Sequence, residues 1–380
     1  MKLSSLPRKV VRGLPYLGKE IRAIISDRTP LFVAVPRTVH IWRDAPCNAK
    51  CIMCTYGYFK GEDLRKIWSS PFTDDMMPRA LNEIHELCGR GTLVSYMGGE
   101  PTTSRHIMEW IEQAGRLGLD FRFTTNGYIM NEEMARRFVA SGLFNLGVSI
   151  ESLDPKINEI IRPYPGGTAK TLRCIELLLQ ERKHQKKYIS LNIKTVLTEI
   201  NLESFAEIVK RFGKIDGVLC TPQVFEPLED MPQSTRELLR IKDNNRLRRV
   251  TDQIRELKRE GYAIHVTDQA LTEMVKQNAE DRNHASTMHN KKLEMDPSEP
   301  ECNIGTDNLW IEHGQVKLCP YHPPIGDFLT EPRPTLKQMW KSEKARKIRA
   351  QIRVCRRLCT ISCLRRTPLL HKISTFLKIA

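Results

Sequence analysis

Cys47, Cys51 and Cys54 stand in the run Cys47-Asn-Ala-Lys-Cys51-Ile-Met-Cys54, a C-x3-C-x2-C spacing. Three thiolates on one short loop can hold three corners of a cubane iron–sulfur cluster and leave its fourth iron open. A structural zinc or a ferredoxin-type cluster takes four protein ligands instead. The next cysteine along the chain is Cys88. Spacing alone leaves one alternative open, a zinc site completed from elsewhere in the chain.

Further polar groups follow at regular intervals. Val94-Ser-Tyr-Met97-Gly98-Gly99-Glu100-Pro101 ends an apolar run in two glycines, an acid and a proline, and glycines there let a ligand approach the backbone. The next run ends Thr124-Thr125-Asn126-Gly127, and the one after it Val148-Ser149-Ile150-Glu151. Ligands of parallel α/β folds bind at the carboxyl ends of strands. These strand-end groups, with the cysteine loop, describe one site on one face.

The elements that must carry this site alternate. Strands are expected at Val33–Trp42, Leu93–Met97, Phe121–Thr125, Leu143–Ile150, Ile189–Leu197 and Gly217–Phe225. Helices are expected at Met77–Leu87, Ile107–Leu117, Glu132–Ala140, Ala169–Gln180 and Leu202–Phe212, with Asn131 as an N-cap. Repeated strand–helix units imply a parallel sheet with right-handed crossovers. Six units fall short of the eight that close a barrel, so the fold class is α/β, a partial (β/α)6 TIM-like barrel. Arg236–Glu260 reads as one or two charged helices, Tyr262–Val266 as a short strand, Leu271–Gln277 as a helix, and Asn278–Pro300 as a linker or loop.

In this order the motifs resemble the radical S-adenosylmethionine (SAM) superfamily, over residues 38–226: the cysteine triad after strand one, Gly98-Gly99-Glu100-Pro101 after strand two, Thr125-Asn126-Gly127 after strand three. The resemblance implies a [4Fe–4S] cluster on Cys47, Cys51 and Cys54, with the fourth iron chelated by S-adenosyl-L-methionine. It implies that Gly98, Gly99 and Glu100 receive the methionine amino group. Ser149 and Arg162 would hold the ribose and the carboxylate, with Thr125 and Asn126 near the ribose. The serine-to-arginine gap is about one residue longer than in the family's usual pattern, which leaves a surface cation as the alternative reading of Arg162. The residue before the third cysteine, often aromatic in the family, is Met53.

Cys302 and Cys319 flank a hairpin expected at Leu309–Glu312 and Val316–Leu318, with Gly314 five residues before Cys319. Cys355, Cys359 and Cys363 follow a basic helical stretch. This layout resembles the cysteine-rich extension called SPASM, or its shorter form called twitch. It implies a small C-terminal α+β extension holding a second, auxiliary [4Fe–4S] cluster; five cysteines cannot supply two. A structural zinc on the same ligands is the alternative. The chain thus divides into a basic leader (1–32), the barrel core (33–235), a helical connector and loop (236–300), the cysteine-rich region (301–365) and a basic apolar tail (366–380).

Of the 380 residues 40% are hydrophobic and 28% charged, a composition that supports a full-sized core. No apolar run approaches the ~18 residues of a membrane span, and cations interrupt every apolar stretch near the N-terminus, so a cytosolic protein is expected. A net charge of +15 suits nucleic acid, anionic lipid or an acidic partner, and no nucleic-acid motif is present. Basic, apolar segments at both ends either dock on the barrel or touch a membrane surface. The function expected is reductive cleavage of SAM and hydrogen abstraction, as an oxidoreductase or maturase. The electron would come from a reductant such as a flavodoxin or ferredoxin, and the substrate would be a peptide, a small molecule or a lipid-linked group. The rival class is a non-enzymatic iron–sulfur carrier or zinc-stapled binding protein, which has no use for Gly98–Pro101.

Overall fold

The computed structural model describes residues 33–280 and 304–355, except 44, 142 and 228–230, together with Lys19 and Arg22. Among the described residues nine strands form one open sheet in the order β6-β5-β4-β3-β2-β1-β7-β8-β9. Strands β1 (Thr38–Trp42), β2 (Leu93–Met97), β3 (Asp120–Thr125), β4 (Asn145–Ser149), β5 (Ser190–Leu197) and β6 (Val218–Val224) pair in parallel with their sequence neighbours. This is the α/β partial barrel expected from the sequence.

Period-two alternation sorts the side chains. Val39, Ile41, Val94, Tyr96, Phe121, Phe123, Leu146, Val148, Leu191 and Ile193 lie in one buried core with helices α3 (Met76–Cys88), α4 (Ile107–Leu117), α5 (Glu132–Ala140), α7 (Gly167–Gln185) and α8 (Ser204–Phe212). Ahead of α3, α1 (Thr55–Tyr58) and α2 (Gly61–Trp68) follow the cysteine loop. Between β4 and α7 the chain forms α6 (Pro155–Ile161), which the apolar periodicity does not reveal. Its signals are the N-cap Asp154, whose side chain accepts from Lys156 N at 2.9 Å, and Pro155 at the first helical position.

Some expected bounds move. The first strand begins at Thr38 instead of Val33, because Pro36 has no N–H for a ladder and Arg37 N instead donates to Asp307 O at 2.9 Å. The charged stretch after β6 forms two helices, α9 (Gln233–Leu239) and α10 (Asn244–Arg259). Tyr262–Val266 is not a strand but a single parallel bridge between Ile264 and Cys220. Thr267 ends the run by accepting from Ala270 N at the start of α11 (Asp268–Glu280). That helix runs three residues into the stretch read as a linker, and 281–303 lie outside the described residues.

The C-terminal hairpin forms, and it extends the core sheet. After a short helix, α12 (Ile304–Asp307), β7 (Asn308–Glu312) pairs in parallel with β1. Strands β8 (Gln315–Lys317) and β9 (Gly326–Asp327) continue antiparallel. His40 on β1 stacks on Trp310 of β7, with centroids 4.0 Å apart and planes 14° apart, and its Nε2 lies 3.0 Å from Asn308 Oδ1. Helices α13 (Leu336–Lys341) and α14 (Glu343–Arg353) follow. Buried Glu83 of α3 clamps this segment, accepting from Arg333 Nη2 at 2.7 Å and Leu336 N at 2.8 Å. Lys19 donates to Thr92 just ahead of β2, at the end of the sheet opposite the cysteine loop. Among the described residues no helix is long and apolar enough to cross a membrane.

Candidate functional site

The cysteine loop leaves the carboxyl end of β1 and is pinned from three sides. Cys54 caps α1, where Cys54 N donates to Cys51 O at 3.0 Å and Gly57 N to Cys54 O at 2.8 Å. A Cβ at Gly57 would stand 2.0 Å from Cys51 O, so the turn closes only around a glycine. Ile52 N donates to Ile161 O at the end of α6, at 3.0 Å.

The chain leaving β2 supplies the second side. Gly99 adopts φ +53°, and a Cβ there would meet Ala45 O at 2.2 Å. Gly99 N donates to Tyr56 Oη at 3.0 Å, and Glu100 N to Pro46 O at 3.2 Å. The two motifs thus share one backbone surface.

Glu100 is 2% exposed and faces inward. Its Oε1 accepts from Thr102 N (3.1 Å), Thr102 Oγ1 (2.6 Å) and Thr125 Oγ1 (2.7 Å), and its Oε2 accepts from Asn126 N at 2.7 Å. With three donors on Oε1 and one on Oε2, Oε2 is the less crowded oxygen. Asn126 Nδ2 reaches back to Asn48 Oδ1 in the cysteine loop at 2.7 Å, which completes the third side. Burial, foremost, pushes the Glu100 carboxyl up against these donors.

Ser149 is half-buried at the end of β4, two residues before Glu151. Arg162 is 8% exposed, not a surface cation. It engages Glu151 instead of Ser149, with Nε at 2.8 Å and Nη2 at 2.7 Å from Glu151 Oε1, while Nη1 donates to Cys51 Sγ at 3.5 Å. Burial works against the guanidinium charge, and the Cys51 and Glu151 charges outweigh it, holding Arg162 above its ordinary range. Met53, in the place often taken by an aromatic, packs against the patch of Ala49, Cys51 and Tyr128 on one side and that of Phe225, Met231 and Leu239 on the other.

The donor set suits a cationic cluster. Burial pushes the Cys47 thiol up to about 12, with Glu100, Cys51 and Cys54 adding to the effect, and it pushes Cys51 up as well. Crowded, desolvated sulfurs of this kind are relieved by a metal that takes them as thiolates. Cys47 Sγ accepts from Ala49 N at 3.5 Å, so two of the three sulfurs already have N–H donors. Among the described residues no three His, Cys, Asp or Glu side chains converge on a single ion's position. A cubane is held differently, by one thiolate at each of three separate corners.

Several residues of this site are not legible in the sequence. Asn48 and Tyr128 come from the loops and Tyr56 from the short helix α1, and Glu151 reads in the sequence only as a strand end. Tyr128 packs on Tyr164 in a tilted contact, with centroids 4.3 Å apart and planes 31° apart, beside Cys51. Of the C-terminal cysteines, Cys319 is buried after β8 and Cys355 half-buried after α14. Cys302, Cys359 and Cys363 lie outside the described residues, as do the amphipathic terminal segments other than Lys19 and Arg22. Helix α12 packs on α14, where Arg349 Nε donates to Gly305 O at 3.1 Å.

Residues 46–212 match the Radical SAM superfamily. The chain is 26% identical over 172 residues to the AdoMet-dependent heme synthase of Nitratidesulfovibrio vulgaris, covering 45% of this chain and 43% of the relative. It is 25% identical over 198 residues to the mycofactocin maturase MftC of Mycobacterium ulcerans, covering 47% and 49%. The match thus spans about half the length of these relatives. The fold resembles that of native anSMEcpe with bound AdoMet and Cp18Cys peptide, with a TM-score of 0.55 and 17% identity over 91% of this chain and 97% of the other. It also resembles Streptococcus suis SuiB bound to S-adenosylmethionine, with a TM-score of 0.54 and 15% identity over 86% and 69%. At these identities the likeness is one of fold.

Proposed function

We propose, from the premise that this chain carries a radical SAM domain at residues 46–212, that it is an enzyme that cleaves S-adenosylmethionine reductively. The observation that carries this reading is the joining of the three-cysteine loop to the Gly98–Glu100 turn, through Gly99 N to Tyr56 and Glu100 N to Pro46 O. An electron carrier or zinc staple needs the cysteines and has no need of that second motif beside them.

In this reading Cys47, Cys51 and Cys54 hold a [4Fe–4S] cluster. When bound, the cluster would pass one electron from the reductant to SAM, whose C5′–S bond would break to give methionine and a 5′-deoxyadenosyl radical able to take hydrogen from an unreactive carbon. The chain's own residues bind and orient. Glu100 Oε2, the less crowded oxygen, and the Gly98–Gly99 backbone receive the methionine ammonium. Thr125, Asn126 and Ser149 face the ribose, Arg162 neighbours the carboxylate, and Met53 offers an adaptable apolar surface to the adenine. A low-potential reductant such as a flavodoxin or ferredoxin delivers the electron. The site is tested by electron paramagnetic resonance on the anaerobically reconstituted, reduced chain. Adding SAM should change the signal of the wild type, and an unchanged signal would contradict the reading.

We propose further that Cys319 and Cys355, with Cys302, Cys359 and Cys363, serve an auxiliary [4Fe–4S] cluster, and that the enzyme is an oxidoreductase or maturase of a peptide or small molecule. The packing of α12, just after Cys302, on α14, which ends just before Cys355, supports a shared site. A cytosolic enzyme is the simplest setting. Contact with an anionic membrane, and so a lipid-linked substrate, is supported by the C-terminal charge: residues 337–380 hold thirteen Lys and Arg against the single acid Glu343. Lys344, Lys347 and Arg353 of α14 are exposed. At the other end the contact of Lys19 with Thr92 favours docking on the barrel.

A further inference from the structure

Arg162 is connected more tightly to the cysteine loop than a cofactor-binding cation needs to be. Of its five N–H groups, three are engaged: Nε and Nη2 on Glu151 Oε1, and Nη1 on Cys51 Sγ. Glu151 is fully buried and is itself fixed, with Oε2 accepting from Val196 N of β5 at 2.6 Å. The backbone around the pair is fixed as well. Glu151 N and Ser152 N both donate to Asn158 Oδ1, at 2.9 and 3.3 Å, and Arg162 N donates to Asn158 O at 2.8 Å. Asn201 Nδ2 donates to Glu151 O at 2.8 Å. The guanidinium is thus aimed at Cys51 from the ends of β4 and β5, with little freedom to turn away.

We infer that Arg162 is a positioning residue for Cys51 that tunes the reduction potential of the cluster bound there, and that Glu151 both aims it and offsets its charge. The inference rests on the functional reading above and goes beyond it, because it concerns the cluster before SAM is bound. An N–H donated to a ligating sulfur draws electron density from it and favours the reduced, more electron-rich cluster. Hydrogen bonds to sulfur and net charge are two of the levers that set such potentials. Glu151 lies on the same lever with the opposite sign. Its carboxylate cancels much of the guanidinium charge, so the local N–H···S contact remains as the main effect. With Tyr128 also beside the guanidinium, at least one N–H of Arg162 remains for a ligand carboxylate, so the two roles are compatible and separable.

The test is a redox titration, followed by electron paramagnetic resonance, of the full chain reconstituted anaerobically with no SAM present. Arg162→Gln should lower the midpoint potential, by about a tenfold shift in the reduction equilibrium, or about 59 mV for one electron. Iron per chain should stay at the wild-type value. Glu151→Gln should move the midpoint the other way, because it strips the counter-charge and leaves the guanidinium in place. Arg162→Lys keeps the charge without the fork and should fall between wild type and Arg162→Gln. If Arg162→Gln cannot hold a cluster, the opposed shifts of Arg162→Lys and Glu151→Gln carry the test. Midpoints that stay at the wild-type value in cluster-bearing variants, or that move in the same direction, would overturn the inference. A wild-type chain that takes up no cluster would instead overturn the functional reading beneath it.

Discussion

The Glu100 carboxylate accepts the backbone N–H of Asn126 at 2.7 Å, and so ties the chain leaving β2 to the chain leaving β3. Its other oxygen accepts the backbone N–H of Thr102. Both oxygens therefore face donors that cannot reverse, unlike the threonine hydroxyls around them.

Glu100→Gln should be costly for that reason. A Gln must turn its NH2 toward one of the two backbone N–H groups, and it also loses the charge proposed to meet the methionine ammonium. Hydrogen bonds to charged groups are worth about 1.5–3 kcal/mol each, so calorimetry should show SAM affinity at least about tenfold weaker. Iron per chain should change little. Undiminished affinity would place the ammonium elsewhere.

Gly99→Ala separates backbone strain from steric collision. The positive φ alone costs roughly 1–2 kcal/mol for a residue with a Cβ. Gly166, left-handed at φ +68° and ψ 14° with nothing within 4 Å of where a Cβ would stand, provides the control. Gly166→Ala should show only the strain cost in a denaturant melt and reconstitute normally. Gly99→Ala adds the collision with Ala45 O and should lose cluster occupancy as well. Equal behaviour of the two variants would argue against the close contact between the motifs.

His40 gives the fold an acid-sensitive element. Burial foremost, helped by Arg122, lowers its pKa from the ordinary 6.5 to about 3. The folded chain then binds its proton less readily than the unfolded chain. The contribution to stability is fully present above pH 6.5 and is lost as pH falls from 6.5 toward 3. The slope should approach about 1.4 kcal/mol per pH unit. His40→Phe keeps a ring against Trp310 and should flatten the pH dependence of unfolding over that window. An unchanged slope would mean that another group carries it.

What the sequence discloses and what it withholds divide along chain distance. The cysteine loop and the turns after β2 and β3 are contiguous motifs, and the strand–helix alternation is periodic, so each is legible from local pattern. Helix α6 is hidden although Asp154-Pro155 announces it, because its seven residues carry too little periodicity. The hairpin is legible as a hairpin. Its docking beside β1, through His40 and Trp310, is not, since alternation tells which face is buried and not which edge is shared. The chain from Val196 through Glu151 and Arg162 to Cys51 joins four separate segments. No spacing rule foresees a side chain choosing a carboxylate eleven residues back and a sulfur 111 residues back.

The auxiliary cluster has its own check. A Cys47/Cys51/Cys54→Ala triple variant should still bind iron and sulfide in oxygen-free reconstitution, through the C-terminal cysteines, with a charge-transfer absorption typical of a cluster. If it holds only zinc, the C-terminal region is a structural ribbon and the auxiliary cluster falls.

The central claim is reductive cleavage of SAM at the Cys47, Cys51 and Cys54 loop, and it is tested most directly by counting its product. The full chain, reconstituted anaerobically and mixed with a strong one-electron reductant and SAM, should yield 5′-deoxyadenosine and methionine in equal amounts. Single Cys47→Ala, Cys51→Ala and Cys54→Ala variants should yield none above the protein-free background. Product formation that survives in all three variants, or its absence from a wild-type chain carrying a full cluster, would contradict the account.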